Sequence, residues 1–444
     1  MSSIEPTLNN HRISELDLMR GCALLGILLM NIIAMAYPLE SYSNPNVFYL
    51  WVQSIESGTA QSESFLDGAI VNKLLFSLMH IFIDQKMMGL FSLLFGASTL
   101  LILSKLKESQ RGRQFYFFRN AWLVVFGLVH SIFIFVGDVL LVYGVCAFFL
   151  FFFANLTPKK QLSLGIVVYC IPIMMQCLMQ LSVFNFSADE LLELREIWQP
   201  NIDIIQYDID FILNANYGEY VWNNIGFYET STELGSIHDW YWNAIFIEAF
   251  ARAFGMMLIG MAFYQWGVLS CFRQYDKEQR KKYLSIYPIL LKYGFFFGFV
   301  ITLTGLSVNY FSNWDASFSA VGGRVLNHIA TPFMVSAYVA LIIGWSQMSL
   351  KSNLMLSLTN KLQSVGRMAF TNYIMHSVIG FFLFTGVGLG LYAKLNRVEL
   401  FVVVIIIWLL QLIISEWWLK HYRYGPLEWL WRSLTYLTYF SMKR

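Results

Sequence analysis

A histidine and an aspartate lie inside an otherwise apolar stretch that runs from Arg119 to Lys159. About 40 residues, divided at Gly137, are enough for two short membrane crossings joined by a tight turn, which puts His130 near mid-bilayer. An ionisable group at that depth costs at least a few kcal/mol unless it is paired, so it marks a candidate functional site. We expect His130 to act as general base or acyl relay and Asp138 to orient its other ring nitrogen. A satisfied core histidine and a helix-capping aspartate explain the same residues equally well.

The first apolar segment carries a second polar group. Asp17 and Arg20 are three residues apart, so they share one helix face, and Asn31 follows about three turns later. We expect Arg20 to hold an anionic part of a donor or acceptor, with Asp17 and Asn31 beside it. An interfacial ion pair that anchors the helix is an equal alternative.

Further ionisable residues recur at helical spacing in later segments. Glu248 and Arg252 are four apart and can pair, and Arg252 is a second candidate for an anionic group. Asn372 and His376, also four apart, are candidate binding residues, although a polar contact between helices is the favoured explanation.

Two other groups of ionisable residues lie near the outer ends of apolar segments. Lys86, close to His80 and Asp84, is expected to extend toward water at the outer boundary of the membrane. Arg324 and His328 lie together at the outer end of another segment.

The composition fixes the class of protein. Of 444 residues, 57% are hydrophobic and only 13% are charged, with a mean hydropathy of +0.54, whereas soluble domains carry roughly 25% charge. The sequence therefore predicts an all-α polytopic membrane protein with the lipid bilayer as its partner. The net charge of +2 gives no reason to expect nucleic acid. The five cysteines lack metal-ligand spacing, so we predict neither disulfides nor a metal site.

The apolar runs predict about ten transmembrane helices. Their approximate limits are residues 14–37, 72–104, 119–136, 138–155, 162–183, 240–268, 286–309, 326–347, 366–391 and 398–420. An acidic loop of residues 187–239 separates the fifth and sixth spans. Residues 425–441 form a predicted interfacial helix, with Glu428 and Arg432 paired on one face.

The basic residues predict the orientation. Those in alternate loops fall on one side of this ten-span arrangement, and they are Lys105, Lys107, Arg111, Arg113, Lys159, Lys160, Arg273, Arg280, Lys281, Lys282, Lys351, Lys361, Arg423, Lys443 and Arg444. By the positive-inside rule this side is cytoplasmic, so both termini are predicted to be cytoplasmic and residues 187–239 to be outside. The first segment lacks a small-residue cleavage pattern and is expected to be an uncleaved helix.

Several motifs, taken in order along nearly the whole chain, resemble the YeiB family of bacterial inner-membrane proteins. They read LDLMRGCALLGILLMNI, LFSLLFGAS, GLVHSIFIFVGDVLLVYG, GMMLIGMAFYQWG, GRMAFTNY and GPLEWLWRSLTY. The resemblance implies a multi-pass protein of the bacterial inner (cytoplasmic) membrane. It implies no activity, because that family is itself largely uncharacterised.

About 20 residues of the first span also resemble transmembrane acyltransferases such as heparan-alpha-glucosaminide N-acetyltransferase. The shared pattern is L-D-x-x-R-G-x-A, and it implies transfer of an acyl group from cytoplasmic acyl-CoA to an acceptor on the far side. In that enzyme the acetyl-accepting histidine follows the first span, whereas Ile32–Met79 here contains no histidine.

The leading hypothesis is a membrane-embedded acyltransferase-like protein that acts on a small or envelope-linked acceptor. It needs no permanently bound cofactor, and acyl-CoA is its candidate donor. The alternative is a transporter or exporter of a small solute that uses the same buried histidines and arginines. If the arginines bind this solute, it is anionic. A membrane partner without enzymatic activity is a third hypothesis. A homo-oligomer is compatible with all three.

Overall fold

The computed structural model describes residues 13–47, 63–106, 111–226, 236–269 and 277–444. These residues form helices and no strand, so the predicted all-α polytopic membrane protein is confirmed. Between them lie a short 3-10 helix, Leu39–Tyr42, and a one-turn helix, Ala316–Ser319. In chain order the longer helices are α1 (Ser14–Ala36), α2 (Glu63–Phe82), α3 (Lys86–Leu106), α4 (Gly112–Phe133), α5 (Leu140–Phe153), α6 (Pro158–Val183), α7 (Ala188–Trp198), α8 (Ile202–Asn214), α9 (Tyr217–Gly226), α10 (Ser236–Gln265), α11 (Lys277–Phe311), α12 (Gly322–Ser349), α13 (Asn353–Arg367), α14 (Ala369–Phe384), α15 (Arg397–His421) and α16 (Pro426–Tyr436).

Eight helical segments of the described chain are long and apolar enough to cross a membrane. The predicted fourth and ninth spans correspond to shorter apolar helices, Leu140–Phe153 and Ala369–Phe384. The predicted second span is interrupted between α2 and α3, where Gln85 takes a positive φ of 63°. A left-handed conformation is unfavourable for a residue with a side chain, so this short break is a strained point inside the protein.

α1 forms the centre of the helix assembly and is buried along most of its length. It packs against α3, α13, α14 and α15. Adding a Cβ at Gly21 or Gly366 would overlap the facing backbone of Leu362 or Asp17, so glycine permits this close approach of α1 and α13. The peripheral helices expose large apolar side chains such as Leu178, as expected for a surface that faces lipid.

The segment between α6 and α10, which contains the predicted acidic loop, includes three short helices, α7, α8 and α9. α9 closes the end of α4, because three of its side chains donate to the last free carbonyls there. The hydroxyls of Tyr217 and Tyr220 and the amide of Asn224 donate to the carbonyl oxygens of Phe133, Ile134 and Ile132 at 3.1, 2.9 and 3.1 Å. The turn between α4 and α5 is therefore covered by protein.

The C-terminal helix α16 is amphipathic, but the predicted pair of Glu428 and Arg432 does not form. The Glu428 carboxylate accepts hydrogen bonds from the backbone of Phe370 and from Thr371 at the start of α14. The Arg432 guanidinium lies over the ring of Tyr424 instead, 4.5 Å from its centroid. The free amides of a helix N-terminus attract a carboxylate more strongly than an exposed partner on the same helix does.

The four cysteines within the described residues, Cys22, Cys146, Cys170 and Cys177, are free. Cys271 lies outside the described residues, as do Lys107 and Arg273 of the predicted basic loops.

Candidate functional site

The structure brings His130 and Asp138 together at the turn between α4 and α5. His130 lies in the last turn of α4, and Asp138 lies two residues before α5 begins. His130 Nδ1 and Asp138 Oδ1 are 2.7 Å apart, and each side chain is 1% exposed. The turn thus folds inward, as the catalytic hypothesis requires.

Asp138 is held by several donors at once. Its Oδ2 accepts a hydrogen bond of 2.7 Å from the amide of Leu141, which caps α5. The hydroxyl of Tyr373, on α14, donates to Oδ1 at 3.3 Å and accepts from the amide of Val139 at 3.2 Å. Asp138 therefore caps α5 with one carboxylate oxygen and contacts His130 with the other.

The arrangement determines which ring nitrogen of His130 is available. A carboxylate beside Nδ1 favours the proton on that nitrogen, which leaves Nε2 as the acceptor. His130 Nε2 is buried and has no hydrogen-bond partner among the described residues. A buried imidazole with one oriented and one free nitrogen can accept a proton from a hydroxyl or amine that enters the site.

His130 follows Arg119 by 11 residues of α4, about 16 Å along the helix axis. The Arg119 guanidinium lies 3.6 Å from the ring centroid of Trp431 on α16, and the indole of Trp431 donates to the Arg119 carbonyl at 2.9 Å. If α16 marks the interface, this distance is about half of a 30 Å hydrocarbon layer. The mid-bilayer position of His130 stays a prediction.

The polar group of α1 lies apart from His130, toward the predicted cytoplasmic side. Arg20 Nη1 and Asp17 Oδ1 are 2.8 Å apart, and Arg20 Nη2 also donates to Ser98 on α3. Arg119 lies within electrostatic range of Arg20. Asn31 is half-buried about 16 Å further along α1.

The predicted Glu248 and Arg252 pair belongs to a larger buried group on α6, α10 and α12. Arg252 Nη1 lies 2.8 Å from Glu248 Oε1, and Gln176 donates to Glu248 Oε2 at 2.6 Å. Arg324 Nη2 lies 3.6 Å from Oε2, and His328 Nδ1 lies 3.9 Å from Oε1. One carboxylate therefore serves two arginines and one histidine.

Lys86 does not reach water, contrary to the prediction. It is completely buried, and its Nζ donates to the carbonyl of His80 at 2.8 Å and to the side chain of Asn327. Asn327 in turn donates to Asp84 Oδ2 at 2.8 Å. Tight pairing within the protein replaces the expected extension to the membrane boundary, because the neighbouring helices leave no path out.

Asn372 and His376 face α15 rather than His130. The Asn372 amide donates to the Ser415 hydroxyl at 3.0 Å, and His376 Nε2 lies 2.8 Å from Gln411 Oε1. Gln411 also donates to the Asn372 carbonyl at 3.1 Å. These contacts form the polar helix–helix interaction that was the favoured explanation of the pair.

Two partners in these sites had no clear sequence signal. Tyr373 lies in an aromatic-rich helix, and its contact with Asp138 spans 235 positions. Gln176 is one of three glutamines in the apolar α6, with Gln161 and Gln180, so its residue type does not single it out. Among the described residues, no group of three histidine, cysteine or acidic side chains is arranged to hold a metal ion.

Comparison with known proteins finds similarity to uncharacterised proteins. Residues 271–438 match a family described as "Protein of unknown function (DUF418)". The chain is 29% identical over 423 residues to "Uncharacterized protein YeiB" of Escherichia coli (strain K12), with 95% of each protein covered. The predicted relationship to the YeiB family is confirmed.

A second relative is "Uncharacterized protein YxaH" of Bacillus subtilis (strain 168). The two chains are 28% identical over 457 residues, covering 99% of this chain and 98% of the relative. No solved structure matches the chain. The match to the family of unknown function begins after α10, so it includes Tyr373 but not His130 or Asp138.

Proposed function

We propose that this YeiB-related chain is a membrane-embedded acyltransferase-like protein that moves an acyl group from cytoplasmic acyl-CoA to a small or envelope-linked acceptor. The observation that carries the proposal is the buried pair of His130 and Asp138, in which His130 Nε2 has no hydrogen-bond partner among the described residues. A histidine that has a carboxylate on one nitrogen and a free second nitrogen is suited to accept a proton from a bound molecule.

In the proposed reaction, His130 Nε2 takes the proton of the acceptor hydroxyl or amine as that atom attacks the thioester carbonyl. The carbon–sulfur bond breaks, the thiolate of coenzyme A leaves, and the proton on Nε2 passes to it. Asp138 stabilises the imidazolium between these two proton transfers. The products are the acylated acceptor and free coenzyme A. In the relay variant, Nε2 attacks the thioester carbonyl and the coenzyme A thiolate leaves. The acceptor then attacks the acyl-imidazole, the carbon–nitrogen bond breaks, and the acceptor proton passes to the thiolate.

The donor would enter from the side that carries Arg20 and Arg119. Guanidinium groups bind phosphate in a bidentate manner, and Ser98 holds Arg20 in place. Arg111 and Arg113 are exposed on the same side and can extend this surface. Arg273 and Arg280 are basic residues of the same predicted side and would extend this surface further, but their side chains lie outside the described residues.

The donor hypothesis is tested by the thermal stability of the purified full-length protein with acetyl-CoA, with ATP as a control for nucleotide binding. A donor that binds only the folded protein stabilises it by RT ln(1 + [L]/Kd), about 2.7 kcal/mol at 100 times Kd. We expect a higher Tm with acetyl-CoA and release of free coenzyme A once an acceptor is supplied. An unchanged Tm at millimolar acetyl-CoA contradicts the donor assignment.

Transport of a small anionic solute is the second candidate function. It is supported by the buried arginines around Glu248, because ionisable groups inside a membrane domain commonly line a substrate or proton pathway. A transporter of an unrelated solute gains no stability from acetyl-CoA, so the same measurement separates the two functions.

The proposal also includes an inner-membrane location with both termini in the cytoplasm. A cysteine placed at Ser187 should react with an impermeant thiol reagent from outside, and one at Ser352 only from inside. Labelling of both positions from the same side contradicts the ten-span arrangement.

A further inference from the structure

The group around Glu248 carries more positive than negative charge. Among the described residues, the charged side chains that face one another there are Arg252, Arg324, Lys86, Glu248 and Asp84. Arg252 and Arg324 share the single carboxylate of Glu248, so one of the two guanidinium charges is left without a carboxylate partner there. A buried uncompensated charge is costly, so a fold that retains this excess favours a bound counter-charge.

The two arginines that carry the excess positive charge are partly exposed. The side chains of Arg252 and Arg324 are 14% and 21% exposed, although Glu248 between them is only 5% exposed. His328 beside them is fully buried, and its Nε2 has no hydrogen-bond partner among the described residues. An unpartnered buried nitrogen next to two arginines is a further polar group that a ligand could satisfy.

A small cavity, with room for about one water molecule, lies against Arg252. Its polar lining comes from Gln85, Ser92, Tyr169 and Thr331. Gln85 is the strained residue between α2 and α3, and its side-chain oxygen is buried without a partner in the described part of the chain. Strained backbone concentrates at ligand sites, where surrounding contacts hold it in place.

The cavity also adjoins α5, the helix that follows the turn of His130 and Asp138. The Ser92 hydroxyl lies 2.7 Å from the hydroxyl of Tyr143 on α5. Tyr143 is within electrostatic range of Tyr373, whose hydroxyl contacts Asp138.

We propose that Arg252 and Arg324 form a binding site for one anionic group, a carboxylate or a phosphate, carried by the acceptor. Arginine binds either group through paired N–H donors, and the surplus charge is balanced when the ligand enters. The Glu248 carboxylate then competes with the ligand, because it pairs with both arginines while the site is empty. The assignment to the acceptor rests on the proposed acyl transfer, whereas anion binding itself does not.

The site is tested by titrating the full-length protein in lipid nanodiscs with sodium phosphate and, separately, sodium succinate. Sodium chloride keeps the ionic strength constant. We expect Glu248→Gln to tighten binding of the recognised anion about tenfold, because a competing carboxylate is removed, and Arg252→Gln to weaken it about tenfold or more. Arg195→Gln is the matched control, since Arg195 is an exposed arginine of α7.

Binding of phosphate alone indicates a phosphoester acceptor, and binding of succinate alone indicates a carboxylate. A purely structural ion cluster gives lower stability in both Glu248→Gln and Arg252→Gln and no gain in affinity, which would overturn the site. If Arg252→Gln does not fold, Glu248→Gln still decides, because a folded Glu248→Gln protein that binds neither anion also overturns it. Retained anion binding without any effect of acetyl-CoA would reject the acyl transfer but keep the site.

Discussion

Two buried histidines, His130 and His376, differ in the partner that each one meets. His130 has a carboxylate at 2.7 Å, and His376 has the amide oxygen of Gln411 at 2.8 Å. In both residues the second ring nitrogen is buried without a partner in the described chain. The two histidines are therefore similarly buried, but His130 faces a carboxylate and His376 faces a neutral amide.

This difference indicates which histidine can accept a proton and pass it on. A carboxylate stabilises the imidazolium that forms when the free nitrogen accepts a proton, whereas a neutral amide provides much less stabilisation. Gln411 also bonds back to the Asn372 carbonyl, so its amide is fixed in a packing role. His130 is expected to serve function and His376 to serve the contact between α14 and α15.

The largest expected effect separates the two histidines directly. His130→Gln should lower acyl transfer by about 10² to 10⁴ fold, because glutamine cannot relay a proton near neutral pH. His376→Gln keeps a polar group opposite Gln411 and should stay within about threefold of the original rate. Both rates are measured on protein whose Tm matches the unsubstituted chain. Full activity in folded His130→Gln would exclude the catalytic role and favour transport.

Asp138→Asn tests whether the carboxylate is what distinguishes the two sites. Asparagine still caps α5, but its single carbonyl oxygen cannot serve both Leu141 and His130, so we expect a loss close to that of His130→Gln. The double variant should be no worse than either single one, because the two residues act as a unit. Additive losses in the double variant would contradict a shared role.

A smaller effect is expected at the predicted donor side, away from both histidines. Arg20→Ala should weaken acetyl-CoA binding about tenfold, as expected for loss of one charge-assisted phosphate contact, without abolishing turnover at saturating donor. Arg423→Ala, which removes an exposed arginine on the same predicted side, is the control. Equal affinities of the two variants would remove Arg20 from the donor site.

The smallest effect on activity is expected at Glu40, whose titration changes the stability of the fold with pH. Burial raises the pKa of Glu40, which follows α1, to about 7, and nearby Asp208 adds to the rise. A raised folded-state pKa stabilises the fold below the unfolded value near 4.5, and this stability is lost as pH rises through 7. From pH 5 to 8, Glu40→Gln should therefore lose less stability than the unsubstituted protein, by roughly 2 kcal/mol. Parallel Tm curves for the two proteins would contradict this origin.

The sequence by itself determined the class of fold and the local pairs. Long apolar runs in a chain with little charge require helices in lipid, because lipid cannot satisfy free backbone groups. The pairs Asp17 with Arg20 and Glu248 with Arg252 follow from helical spacing alone. His130 and Asp138 are only eight residues apart, so a turn between short helices sufficed to join them.

Only the tertiary structure decided which of these groups meet others. Tyr373 reaches Asp138, Arg324 reaches Glu248, and Glu428 caps α14 instead of pairing with Arg432. Hydropathy and periodicity show that a helix is buried but not which neighbour its polar side chain faces. That choice depends on helix rotation and packing. Most buried polar groups then pair with whichever helices surround them, because an unpaired buried group is costly.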